Sequence, residues 1–92
     1  MSRTTDAILH QAVAHYGPMH QRMKAIEELG ELIVELARPI DREDRAAIVD
    51  EIADVRIMLS QLEIIFECRD DVRSHEWLKL ARLKERMTNA DG

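Results

Sequence analysis

Glu27-Glu28-Leu29-Gly30-Glu31 and Glu51-Ile52-Ala53-Asp54 decide how this chain is read. Each contains acid-x-x-acid, set in a run whose Leu, Ile and Val residues recur at helical spacing. Residues three apart on a helix share a side, with Cβ atoms about 5–6 Å apart. Glu28 and Glu31 therefore pair, as do Glu51 and Asp54, and Glu27 adds a carboxylate at i,i+4 from Glu31. If the two helices pack as a hairpin, four or five carboxylates converge. Two unit charges ~4 Å apart repel by about 4 kcal/mol at an effective dielectric near 20. Such a cluster raises its pKa values, stays spread in water, or holds a cation. Carboxylate oxygens suit hard ions such as Mg²⁺ or Mn²⁺.

The flanking sequence predicts four helices and an all-α fold. Residues 2–16 form the first, capped by Thr4 or Thr5, with Ile8, Leu9, Ala12, Val13 and Tyr16 as its apolar stripe. Gly17-Pro18 separates it from a second helix over 19–38. There Ile26, Leu29, Ile33 and Leu36 make the apolar seam, and Pro39 stops the helix. Gln21, Lys24, Glu28, Glu31 and Glu35 lie almost opposite that seam, where a polar stripe is ordinarily the wet face. Lys24 and Glu28 are spaced for an i,i+4 ion pair of ~0.3–0.5 kcal/mol. Gly30 costs about 1 kcal/mol in a helix interior relative to Ala. It either admits another backbone or is tolerated slack.

Asp41 is placed to cap a third helix running to about Cys68. One face carries Ile48, Ile52, Val55, Leu59, Leu62 and Phe66; a second carries Ala47, Glu51, Asp54, Met58, Gln61 and Ile65; Ala53, Ile57 and Ile64 make a third. A helix apolar on several sides is central in a bundle or buried between subunits. Glu51 and Asp54 are thus not on an ordinary solvated face. A fourth helix follows over about 72–87, with Leu80, Leu83 and Met87 on its apolar edge. Lys79, Arg82 and Arg86 align at i, i+3, i+7, as a solvated basic face or as phosphate contacts near the acids. His10, His15 and His20 have no convincing metal-ligand spacing.

The 92 residues predict a single domain over 1–92. A chain this short buries a modest share of its surface, and oligomerisation is a way to bury more. Aromatics at 3% and a net charge of −5 remove the stacking platform and the bulk attraction that nucleic-acid binding needs. Cys68 is alone, which leaves no internal disulfide and no cysteine-based zinc site, and fits a reducing cytoplasm. No apolar run approaches 18 residues and no signal-like start is present, so neither membrane insertion nor export is expected.

Gln21-x-x-Lys24-Ala25-Ile26-Glu27-Glu28-Leu29-Gly30-Glu31-Leu32, with nineteen residues between Glu31 and Glu51-Ile52-Ala53-Asp54-Val55, resembles the MazG-like nucleoside triphosphate pyrophosphohydrolases. These belong to the all-α NTP pyrophosphatase superfamily, whose pattern is EExxE, a spacer, then ExxD. The resemblance spans roughly 19–87. It implies a helical bundle completed by dimerisation or tetramerisation. It implies Mg²⁺, with Mn²⁺ as substitute, on Glu28, Glu31, Glu51 and Asp54, with Glu27 assisting as ligand or water-orienting base. The implied substrate is a nucleoside triphosphate, cleaved between α and β phosphates to the monophosphate and pyrophosphate. Gln21, Lys24, Lys79, Arg82 and Arg86 are its candidate contacts, the last three in the same subunit or across a dimer. Metal ions neutralise phosphate charge and generate hydroxide near neutral pH, so no Ser or Cys nucleophile is required.

Two alternatives stand beside this reading. One is a non-catalytic helical interaction module. The other keeps the chemistry and changes the substrate to dUTP or a phosphoribosyl nucleotide such as phosphoribosyl-ATP.

Overall fold

A computed structural model describes residues 2–89. They form four helices, with no strand among the described residues: α1 Arg3–Tyr16, α2 Pro18–Leu36, α3 Arg45–Ile65 and α4 Arg69–Asn89. The all-α expectation holds, and the boundaries shift where cap chemistry decides them. Ser2, not Thr4 or Thr5, caps α1 by accepting from the Thr5 amide at 3.1 Å. Asp44, not Asp41, caps α3 by accepting from the Ala47 amide at 3.0 Å. Asp41 lies instead in a short 3₁₀ turn, Ile40–Arg42. α3 stops at Ile65, because Glu67 takes φ +50° and turns the chain into α4. Gly17 joins α1 to α2 as a single residue at φ +92°, a conformation that favours glycine, and its amide donates to the Val13 carbonyl at 2.8 Å.

α2 and α3 form an antiparallel hairpin, and α1 packs across both. The inward face of α2 overturns the amphipathic reading. Gln21, Ala25 and Glu28 are buried, whereas Ile26 and Ile33, on the expected seam, are 62% and 66% exposed, and Leu29 and Leu36 are exposed too. The physical reason lies in the partner helix. α3 meets α2 through its mixed strip: Met58 and Gln61 are buried and Ala47, Glu51, Asp54 and Ile65 half-buried. In the first helix Leu9 is buried and Ala12 and Val13 half-buried, but Ile8 and Tyr16 face outward.

One chain therefore encloses little apolar material. The buried apolar side chains among the described residues are Leu9, Ala25, Val55 and Met58. The radius of gyration is 16.4 Å, against about 12 Å for a compact domain of this length. The accessible surface is 7602 Å², while a compact folded chain of 10.7 kDa exposes about 5,500 Å². α4 accounts for much of the extension. It packs against α3, its first residue Arg69 also pairs with Asp6 of α1, and every residue from Arg73 to Asn89 is exposed. No described helix is long and apolar enough to cross a membrane.

Candidate functional site

The hairpin register sets the site. Gln21 near the start of α2 donates through Nε2 to Gln61 Oε1 near the end of α3, at 2.8 Å. Seven residues further along α2 is Glu28; seven residues back along α3 is Asp54. The same alignment brings Glu28, Glu51 and Asp54 together, one carboxylate oxygen of each lying within 4.8 Å of the others. Glu28 also groups with Glu27 and Glu31 at the same spacing, and those two are exposed. The five acids singled out by spacing thus meet around Glu28. Both groups are wholly carboxylate.

Glu28 is 7% exposed, and a carboxylate so buried needs compensation. Lys24 Nζ lies 3.3 Å from Glu28 Oε1 and 3.5 Å from Glu27 Oε1, which occupies one oxygen of each. Lys24 is thus more than a surface ion pair, since its partner is buried. Its ammonium is held to a higher pKa, mainly by its hydrogen bond to Glu28. Glu28 Oε2 and Glu51 Oε2 are buried and have no hydrogen-bond partner. An unsatisfied buried acceptor costs about 1–3 kcal/mol, and more when charged.

The protonation of the cluster reflects this strain. Desolvation first, then the charges of Glu31, Glu28 and Asp54, raises the Glu51 carboxyl to about 7. Desolvation and then Glu28 raise Asp54. Glu28 and then desolvation raise Glu31. The donor set fits a hard divalent cation: oxygen ligands only, two of them buried and unpartnered, with excess negative charge.

Gln61 was not singled out as a site residue in the sequence, although it shares the strip of Glu51, Asp54 and Met58. Its signal is a polar amide between Met58 and Ile65 on one strip of the helix. It is buried, and its Nε2 faces Met58 Sδ at 3.6 Å. His20 Nδ1 lies 2.7 Å from Gln21 Oε1, and the His20 ring stacks on Tyr16. Lys79, Arg82 and Arg86 are exposed on α4, and none of the ion pairs among the described residues joins them to the acids. Comparison with protein-family models, with curated proteins and with solved structures yields no match for this chain.

Proposed function

We propose that Glu28, Glu51 and Asp54, with Glu31 at the mouth, bind Mg²⁺ or Mn²⁺, and that the chain hydrolyses nucleoside triphosphates between the α and β phosphates. The observation that carries the metal site is the pair of buried, unpartnered oxygens, Glu28 Oε2 and Glu51 Oε2, within one carboxylate cluster. The nucleotide substrate is supported by the resemblance of the paired acidic motifs to MazG-like pyrophosphohydrolases.

When bound, the divalent ion neutralises phosphate charge and lowers the pKa of coordinated water toward neutrality. The remaining work falls to the chain. Glu27 is exposed beside Glu28 and orients the attacking water, taking its proton on a carboxylate oxygen. The water oxygen bonds to the α-phosphorus, and the bridging oxygen leaves with pyrophosphate. Lys24 shares the edge of the cluster with Glu27 and Glu28, and on this reading its ammonium supplies positive charge to a phosphate oxygen there. Phosphoryl-type displacement rewards this positioning and charge stabilisation more than covalent chemistry.

Pyrophosphate release from a panel of NTPs and dNTPs, dUTP and phosphoribosyl-ATP included, with Mg²⁺, Mn²⁺ or EDTA, tests the reading. Metal-dependent release of pyrophosphate with a monophosphate product supports it and identifies the base. Absence of release from every substrate returns the chain to the interaction-module alternative.

A further inference from the structure

We propose that His20 reads the base of the nucleotide: its imidazole Nε2 accepts a hydrogen bond from an exocyclic amine, so that cytosine or adenine is taken in preference to the oxo bases uracil and hypoxanthine. This role rests on the nucleotide-hydrolysis reading of the neighbouring acids.

A chain of hydrogen bonds running out of the core sets the chemistry of the ring. Met58 Sδ has no hydrogen to give, so at 3.6 Å it accepts from Gln61 Nε2. Gln61 Oε1 is then left to accept from Gln21 Nε2, at 2.8 Å. Gln21 Oε1 is left in turn to accept from His20 Nδ1, at 2.7 Å. Gln21 is 5% exposed and Gln61 3%, so neither amide can turn over without leaving buried groups unpaired. The sulfur thus fixes the direction of the whole chain. It puts the proton of the neutral imidazole on Nδ1 and the lone pair on Nε2. His20 itself is exposed, so that lone pair is open to a ligand. A phosphate oxygen, an acceptor too, is repelled by it; an amine N–H suits it.

His20 also stands at the right place. On α2, His20, Lys24, Glu27 and Glu31 lie within about 60° of one another around the helix axis. Glu27 and Glu31 flank Glu28 in the acid cluster, and Lys24 bridges Glu27 and Glu28. His20 precedes Glu27 by seven residues, about 10 Å along the axis. With the α-phosphate at the acids, the base of the same nucleotide reaches that far. The Tyr16 ring is stacked on His20, with centroids 5.2 Å apart and planes 16° from parallel. Tyr16 also borders an open groove along α1 with Ile8, Ala12 and His15. A base coplanar with the imidazole meets Nε2 edge-on and extends over the same face of Tyr16. One aromatic face is enough for a mononucleotide, whereas a strand needs a series of them.

Two substrate pairs isolate the contact, CTP against UTP and ATP against ITP, each exchanging an amino group for an oxo group. In Mg²⁺ the wild type should favour the amino base by about tenfold in kcat/KM. In His20→Ala the ratio should fall close to unity, while the rise in melting temperature with Mn²⁺ stays that of the wild type. Imidazole ¹H–¹⁵N spectra read the ring directly. The neutral His20 should carry its proton on Nδ1, and its Nε2 resonance should move on titration with CMP and not with UMP. A proton on Nε2 overturns the proposal. So does an active wild type that favours the amino base in neither pair, or a His20→Ala protein that keeps the wild-type preference. If the wild type hydrolyses no triphosphate, the hydrolysis reading fails and the titration alone decides. Movement with CMP alone then upholds His20 as a base reader, and equal movement with both or movement with neither overturns it.

Discussion

Gln21 and Gln61, forty residues apart, form a buried hydrogen bond of 2.8 Å that aligns α2 with α3. Glu28 and Asp54 follow at the same offset, so the amide pair and the carboxylate cluster express a single register. On an α-helix, seven residues span about 10 Å. A one-turn slip of either helix would separate the acids. Buried polar pairs are a known means of fixing register in packed helices.

Gln61→Leu should therefore destabilise the protein by about 1–3 kcal/mol, because it leaves the Gln21 amide buried without its partner. Gln21→Leu with Gln61→Leu should recover much of that stability. If the pair holds the register, the double variant should nonetheless bind Mn²⁺ more weakly than wild type by calorimetry. Unchanged affinity in a stable double variant would make the pair mere filling.

The pH dependence of the metal-free protein follows from the raised carboxyls. Glu51, at about 7, and Glu31 and Asp54, also raised, bind protons more tightly folded than unfolded. Their contribution is fully present below the unfolded carboxylate pKa and is lost as pH rises through the folded values. Asp6, lowered by Arg69, has the opposite sign, but its contribution is lost only in more acidic solution. In EDTA the melting temperature should thus fall between pH 5.5 and pH 8. Saturating Mg²⁺ should remove or reverse that fall, because metal displaces the protons. A melting temperature that climbs with pH in EDTA would contradict the cluster's geometry.

Gly30 and Glu67 are residues that their backbone positions do not favour. Gly30 sits inside α2, where an added Cβ meets nothing within 4 Å in the single chain. Glu67 has φ +50°, a left-handed conformation that costs a residue with a Cβ about 1–2 kcal/mol. Gly30→Ala and Glu67→Gly should each stabilise by about 1 kcal/mol, read from denaturant midpoints. Loss of stability in Gly30→Ala would mean that a second copy packs closely there.

Much of the molecule was legible in the sequence. The four helices follow from apolar spacing and from the stops at Gly17 and Pro39. The convergence of Glu27, Glu28, Glu31, Glu51 and Asp54 follows from two acid-x-x-acid patterns on adjacent helices. The face that α2 turns inward was not legible. Amphipathic reasoning supposes that a chain covers its own apolar stripe, and here Ile26 and Ile33 stay exposed while Glu28 is buried. That inversion depends on α3 presenting Gln61, Met58 and Asp54 to α2, a tertiary choice that neither helix announces alone. The tie between α4 and α1 was hidden likewise, since Arg69 reaches Asp6 sixty-three residues away.

The central claim is that Glu28, Glu51 and Asp54 share one cation, and thermal melting with and without metal tests it most directly. A ligand that binds only the folded state stabilises it by ~2.7 kcal/mol at a hundredfold excess over Kd. For a domain of this size that is roughly ten degrees or more. Wild type should melt higher in Mg²⁺ or Mn²⁺ than in EDTA. Glu51→Gln should melt slightly higher than wild type in EDTA, having lost one charge from a like-charged cluster, and should show a much smaller rise with metal. An equal metal shift in both proteins, or none in either, would contradict the shared site.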